Sequence, residues 1–313
     1  MTPPSLNELL RRYPKILTEC AVAERLRRMP EVTLHPLLYN TPLIYGPEDA
    51  RARMVEIYEE YVGVARDAGL PLLLTAPTWR LDAERVAGAG VPASINTDAV
   101  GFLRRIRDGS ESREPLLVGA LVGPRNDCYR PDLAPDSAAS EAFHDGQIRE
   151  LADAGAEFLL AQTLPSVGEA LGMARAMSRT GVPYVISFCT GMDGRVLDGT
   201  PLPEAMAMVD DNSQLSESPV GFFVNCTHPR FILDAHRPGQ LVRLIGIQAN
   251  ASSKDVTRLD GSGATEADPV DAWVRSMAEL HEKHGVTILG GCCGTSLEHL
   301  VGLARIPSRT AEE

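Results

Sequence analysis

Val286-Thr287-Ile288-Leu289-Gly290-Gly291-Cys292-Cys293-Gly294-Thr295 joins a short apolar run to a pair of cysteines set between glycines. The run is too short for a helix. Its apolar residues follow one another without alternation, as in a strand buried on both faces of a parallel sheet. Seven earlier runs are similar, so the eight expected strands are 15–20, 71–75, 116–123, 157–163, 183–189, 220–226, 243–250 and 286–290. Between them the period changes. Met54, Ile57, Tyr58, Tyr61, Val62 and Ala65 form one stripe of a helix. Segments 141–154, 166–179, 201–211 and 268–284 read the same way. Glycine follows several helices just before the next strand, at Gly69, Gly155, Gly181 and Gly285, where it supplies the left-handed residue that ends a helix. Eight strands alternating with helices over this length predict a (β/α)₈ TIM barrel, one domain over 1–313. The competing open sheet would carry a dinucleotide loop after its first strand, and no G-x-G-x-x-G is there. Polar stretches 124–140, 212–219 and 252–267, the last with Asp260-Gly261-Ser262-Gly263, read as loops.

The chain has 313 residues, 44% hydrophobic and 23% charged, which suits a large core and argues against disorder or a disulfide scaffold. The net charge of −12 comes with no basic stripe, so nucleic acid is not expected as a partner. Arg104-Arg105-Ile106-Arg107, followed at once by Asp108, reads as a solvated helix end. Apolar runs are too short to span a bilayer, so no membrane is expected. Met1-Thr2-Pro3-Pro4-Ser5-Leu6-Asn7 lacks the basic and apolar regions of a secretory signal, so the expected location is cytoplasmic.

Six cysteines in a reducing compartment point to metal or catalysis before disulfides. Cys292 and Cys293 follow the eighth strand and Cys226 ends the sixth. In a barrel both places lie on the C-terminal rim, where active sites are built. Strands six and eight have one strand between them, so these cysteines can converge on one ion. Three thiolates and an open fourth position describe a catalytic Zn²⁺ site, since closed structural sites use four protein ligands. Cys20, Cys128 and Cys189, taken singly, read as small buried hydrophobes.

Gly290-Gly291-Cys292-Cys293-Gly294-Thr295 and Asn225-Cys226 resemble the zinc-ligand motifs of the homocysteine S-methyltransferase family, which includes betaine-dependent and S-methylmethionine-dependent enzymes. Gly119-Ala120-Leu121-Val122-Gly123-Pro124 is similar to that family's Gly-Ser-x-Gly-Pro, and Phe143-His144-Asp145-Gly146-Gln147 to its Phe-His-x-x-Gln. Asp198-Gly199-Thr200 is similar to its Asp-Gly-Thr, and Gln248-Ala249-Asn250 to its Tyr-Pro-Asn. The resemblance implies a methyltransferase that moves a methyl group from a sulfonium or ammonium donor to homocysteine or a related small thiol. Zinc would be held by Cys226, Cys292 and Cys293. A zinc-bound thiol loses its proton and becomes a nucleophile at neutral pH.

Two departures stand against that pattern. Asp-Gly-Gly after the first strand is matched by Thr18-Glu19-Cys20, and Glu-Thr after the fourth by Gln162-Thr163. In the family those acids and glycine amides grip the amino and carboxylate groups of homocysteine. The expected substrate-binding residues are therefore Thr18, Glu19, Cys20, Gln162, Thr163, Asn225 and Asn250. The loss of both acids points either to drift with homocysteine retained or to a thiol without a free α-ammonium. His228 and His236 are further candidates for a fourth ligand or proton relay. His35, Tyr39 and Tyr45 are candidates for a lid, and Trp79 for an aromatic face toward a cationic donor. A zinc hydrolase and a non-catalytic zinc or thiol-binding protein are the readings of other classes, and a homo-oligomer is compatible with the sequence.

Overall fold

Eight parallel strands pair in chain order and the last closes on the first, so the fold is the expected (β/α)₈ TIM barrel. The strands are β1 (Ile16–Thr18), β2 (Leu72–Ala76), β3 (Leu116–Val122), β4 (Leu159–Leu164), β5 (Tyr184–Phe188), β6 (Gly221–Asn225), β7 (Leu244–Ala249) and β8 (Ile288–Gly291). The computed structural model describes residues 3–255 and 267–309. The expected Asp260-Gly261-Ser262-Gly263 loop lies outside the described residues. Among the described residues no helix is long and apolar enough to cross a membrane.

Alternation along each strand sorts residues into two sets. One set faces the helices and joins the large outer core with Leu72, Leu74, Val118, Ile186, Val224 and Leu289. The other faces inward. Its lower layer is apolar, with Ile16, Leu73, Leu117, Leu160, Val185, Phe223 and Ile288 packed together. Two glycines make room for rings in that layer. A Cβ on Gly119 would lie 2.4 Å from the Phe158 ring, and one on Gly246 2.3 Å from Phe223. Two residues further along the same alternation come polar side chains: Thr18, Thr75, Gln162, Ser187 and Asn225. The barrel is therefore dry below and polar at its mouth.

The bottom is closed by a helix that the apolar pattern alone does not reveal, Leu6–Arg12. Ser5 Oγ accepts from Glu8 N, and Glu8 Oε2 accepts from Ser5 N at 2.7 Å, a capping box that fixes this short helix. Its Leu6 and Leu9 complete the inner apolar layer. Lys15 is buried here, and its Nζ donates to Ala304 O at 2.9 Å and to Ile306 O. The ammonium thus satisfies carbonyls at the C-terminus of helix Leu297–Arg305, where a positive charge is favoured.

The helical stripe at 54–65 lies within Glu48–Ala68, and the other expected helices appear as Ser137–Asp153, Val167–Ser178, Leu202–Asp210 and Val270–His284. Gly69, Gly155, Gly181 and Gly285 are all left-handed, with φ from 63° to 83°. The expected loop 124–140 is overrun at its end. Asp136 accepts from Ala139 N at 2.9 Å and starts a helix at Ser137, four residues before the first residue of the expected segment.

Candidate active site

Register brings the cysteines together. Asn225 pairs with Gln248, and Gln248 with Gly290, so these three lie in one row across β6, β7 and β8. Cys226 is the next step on β6, and its N–H donates to Gln248 O at 3.1 Å. Cys292 N donates to Ala249 O at 2.7 Å. Asn225 already points into the barrel, so an extended Cys226 would point away from it. Cys226 instead takes a left-handed conformation, φ 50°, which redirects the side chain at a cost of about 1–3 kcal/mol. The Sγ atoms of Cys226, Cys292 and Cys293 then all lie within 4.8 Å of one another, and Cys292 and Cys293 are 3.9 Å apart.

The flanking glycines serve this approach mainly by having no side chain. A Cβ on Gly290 would lie 2.4 Å from Thr18 Cγ2, and one on Gly291 2.4 Å from Thr295 Oγ1. Only Gly294, at φ 77°, is left-handed within this turn. Glu24, from helix Ala23–Arg27, accepts from Gly294 N and pins the turn to the β1 side of the rim.

The cysteines open on a cavity of about 1080 Å³ at the barrel mouth. Glu19, Cys20, Gln162, Thr163 and Asn250 also line it. Thr18 and Asn225 do not. Thr18 Oγ1 donates to Leu73 O at 3.1 Å and accepts from Gln248 Nε2 at 3.4 Å. Gln248 Oε1 in turn accepts from Gln162 Nε2. Thr18, Gln248 and Gln162 thus form a neutral chain across the mouth. Asn225 is fully buried and serves the wall. Its Oδ1 accepts from Thr163 N at 2.8 Å and Ser187 Oγ at 2.6 Å, and its Nδ2 donates to Thr163 Oγ1 at 2.6 Å. Thr163 is held left-handed by these bonds, at φ 67°. For Asn225 the structure supports positioning of Thr163, not contact with a ligand.

Glu19 is buried in the cavity wall and bonded to Thr75. Thr75 N donates to its Oε2 at 2.8 Å, and Thr75 Oγ1 meets its Oε1. Burial pushes its carboxyl up from 4.5 to about 8, against the pull of these bonds. Around neutral pH it is mostly a neutral acid, a poor substitute for a carboxylate that grips an ammonium. A carboxyl with a raised folded pKa favours the folded state below about pH 4.5, and that advantage drains as pH rises toward about 8. Gln can make the same two bonds without titrating. Glu19→Gln is therefore expected to flatten the decline, by about 1 kcal/mol per pH unit across that window. Thermal melts of both proteins from about pH 5 to about pH 8 measure it; parallel curves would contradict the assignment.

The histidines lie apart from the cysteines. His228 Nδ1 accepts from Arg230 N at 3.3 Å at the start of helix Pro229–Ala235, and its Nε2 lies 3.3 Å from Asp268. His236 Nε2 is 3.1 Å from Gly194 O. Neither lines the cavity. Of the early-loop candidates, Tyr39 reaches it; His35 accepts from Leu37 N and Leu38 N, and the Tyr45 hydroxyl goes to Asp98. Trp79 lines the cavity, but the Arg80 guanidinium already lies 4.9 Å from its ring centre. A donor cation would meet that charge. Buried Cys189 packs against Cys226, and Tyr129, which lines the cavity, packs against the same pair. Tyr129 sits in the polar 124–140 stretch, where no periodicity flags it.

The profile of the homocysteine S-methyltransferase family matches residues 12–306. The chain belongs to this family. Homocysteine S-methyltransferase YbgG of Bacillus subtilis (strain 168) is 21% identical over 315 residues, covering 96% of each chain. Homocysteine S-methyltransferase of Escherichia coli (strain K12) is 27% identical over 323 residues, covering 95% of this chain and 97% of that relative. The crystal structure of the homocysteine methyltransferase MmuM from Escherichia coli, metallated form, superposes with a TM-score of 0.71 at 22% identity. It covers 96% of this chain and 98% of that one, a likeness of fold. Within this homocysteine S-methyltransferase family frame, the cysteine cluster stands out as the group that could hold a metal among the described residues.

Proposed function

We propose that this chain transfers a methyl group from a sulfonium or ammonium donor to a small thiol at a zinc site made by Cys226, Cys292 and Cys293. The observation that carries the reading is the convergence of three sulfurs within 4.8 Å at the mouth of the barrel, facing the cavity. The sulfur spacing fits zinc. Tetrahedral zinc with bonds of about 2.3 Å sets sulfurs about 3.8 Å apart, and Cys292 and Cys293 stand 3.9 Å apart. Without a cation the cluster resists ionisation: the Cys292 thiol is pushed well above the usual range, chiefly by its contact with Cys226. Three sulfurs in this space as thiolates require a positive charge among them. When bound, zinc supplies the removal of a proton from the acceptor thiol at neutral pH.

The remaining work falls to the chain's own residues. Cys189 and Tyr129 pack against Cys226 and hold it in place, Tyr129 from the cavity wall. Asn225 fixes Thr163, and Glu24 fixes the Cys292-Cys293 turn. The acceptor sulfur takes the methyl carbon, the donor's carbon–heteroatom bond breaks, and the donor departs as a neutral thioether or amine. No histidine lines the cavity among the described residues, and its carboxylates are already engaged, Glu19 with Thr75, Glu24 with Gly294 N and Arg28, and Asp127 with Tyr129 N, which disfavours a zinc hydrolase. Three reduced thiols suit a reducing compartment such as the cytosol. A mass-spectrometric assay tests the reading. The zinc-loaded protein is incubated with homocysteine or 4-mercaptobutanoate and with S-methylmethionine, betaine or S-adenosylmethionine. Appearance of an S-methylated thiol supports the reading, and its absence from every pairing contradicts it.

A further inference from the structure

In a chain of net charge −12, four arginines line one cavity: Arg27, Arg28, Arg80 and Arg85. Two are answered by acids. Arg28 pairs with Glu24 at 2.8 Å, and Arg85 pairs with Asp82 and donates to Arg125 O at 2.6 Å. Arg27 and Arg80 pair with no acid among the described residues. They lie instead against rings. Tyr39 and Trp79 stack at 6.0 Å, 12° from parallel. Arg80 is 4.9 Å from the Trp79 centre and 5.1 Å from that of Tyr39, and Arg27 is 5.8 Å from Tyr39. Arg80 Nε is buried and has no hydrogen-bond partner. A guanidinium flat against an aromatic face keeps its N–H edge free for an oxyanion, and a buried donor without an acceptor is costly.

The platform is built into the rim. Trp79 Nε1 donates to Gln162 O at 3.0 Å, and its carbonyl accepts from Gly123 N at 3.0 Å. A Cβ on Gly123 would lie 2.5 Å from Trp79 O, so the ring rests on a surface with no room for another side chain. Tyr39 is fixed left-handed at φ 54° by two bonds of 2.9 Å with the His35 backbone. The acids of the cavity do not neutralise the pair. Glu24 serves Arg28 and Gly294, Asp127 accepts from Tyr129 N at 2.9 Å, and Glu19 is bonded to Thr75.

We propose that Arg80, with Arg27 beside it, forms an anion subsite for a carboxylate or phosphate carried by the acceptor thiol at the end remote from its sulfur. The proposal rests on the methyl-transfer reading and narrows it. The acceptor, and not the donor, is assigned here because the platform is tied to Gln162, which lines the same cavity as Cys226, Cys292 and Cys293 and offers no charge to a cation.

Binding, not turnover, tests it. Calorimetry on the zinc-loaded chain compares 4-mercaptobutanoate with its neutral analogue 4-mercaptobutan-1-ol. The acid is expected to bind about 10–100-fold more tightly, and Arg27→Gln/Arg80→Gln to reduce the ratio to near one. Arg80→Lys, which keeps the charge and loses the fork, should fall between, and it serves if the Gln variant does not fold. Butanoate, which has no sulfur, reports on the arginines alone through Trp79 fluorescence; Trp273, the other tryptophan, is fully buried. A saturable change that butan-1-ol does not give, and that the double variant loses, supports the subsite even if the chain methylates no thiol. Equal affinities for the two thiols would overturn the proposal, as would a preference that survives both substitutions. A charge preference confined to the donor would overturn the assignment to the acceptor.

Discussion

Cys292→Ser/Cys293→Ser is expected to empty the metal site and abolish methyl transfer while leaving the barrel folded. Structural zinc is held by about 10–16 kcal/mol across four ligands, so two thiolates account for several kcal/mol of affinity. Zinc should fall from about one per chain to background. Activity should fall by at least about a thousandfold, the equivalent of about 4 kcal/mol in the barrier. The fold should tolerate the change because Cys292 is half-buried and Cys293 exposed, so Ser leaves no cavity in the core. Cys226 is the less informative site to change. It is buried against Cys189 in a strained conformation, and loss of activity there would mix metal loss with local unfolding. Metal analysis beside a thermal melt separates the two; full zinc occupancy in the double variant would contradict the assignment.

The second large effect concerns the acceptor. Gln162→Glu should be tolerated, because the Gln248 amide can flip and donate to the new carboxylate while Thr18 Oγ1 turns to donate to Gln248. Thr18→Asp is harsher, since the new carboxylate would face Leu73 O, which now accepts from Thr18. The pair places one carboxylate at Gln162 in the cavity lining and a second at Thr18 just behind it, and each charge-assisted bond to an ammonium contributes about 1.5–3 kcal/mol. Homocysteine should therefore gain on 4-mercaptobutanoate by about 10–100-fold in kcat/KM, with less than the full sum recovered because Thr18→Asp breaks a bond in the wall. Rates for both acceptors in the parent and the variant measure it. A parent that already prefers homocysteine strongly would mean that the lost acids are drift.

Much of the fold is legible because parallel barrel strands are buried on both faces, so runs such as Leu72-Leu73-Leu74 and Tyr184-Val185-Ile186 declare themselves by composition. The cysteine cluster is legible for a related reason: strand ends in a barrel share one rim, and Cys226 and Cys292 each follow a strand by one residue. What stays hidden depends on direction, not position. Asn225 and Thr18 sit beside the cavity in sequence, yet their side chains are spent on Thr163 and Leu73. Glu19 looks like a replacement acid until burial neutralises it, despite the bonds from Thr75. Arg80 follows Trp79 directly, but only the fold shows that Tyr39, forty-one positions before Arg80, lies on the same platform. The start of helix Ser137–Asp153 is missed because its first turn, Ser137-Ala138-Ala139-Ser140, carries no apolar stripe, and the cap at Asp136 is its main signal.

X-ray absorption at the zinc edge, recorded before and after addition of the acceptor thiol, reads out which atoms hold the metal and whether the thiol joins them. Three sulfurs at about 2.3 Å with one lighter atom are expected in the resting protein, and four sulfurs once 4-mercaptobutanoate or homocysteine is added. A first shell with fewer than three sulfurs, or one that does not change when the thiol is present, would contradict the proposed zinc site.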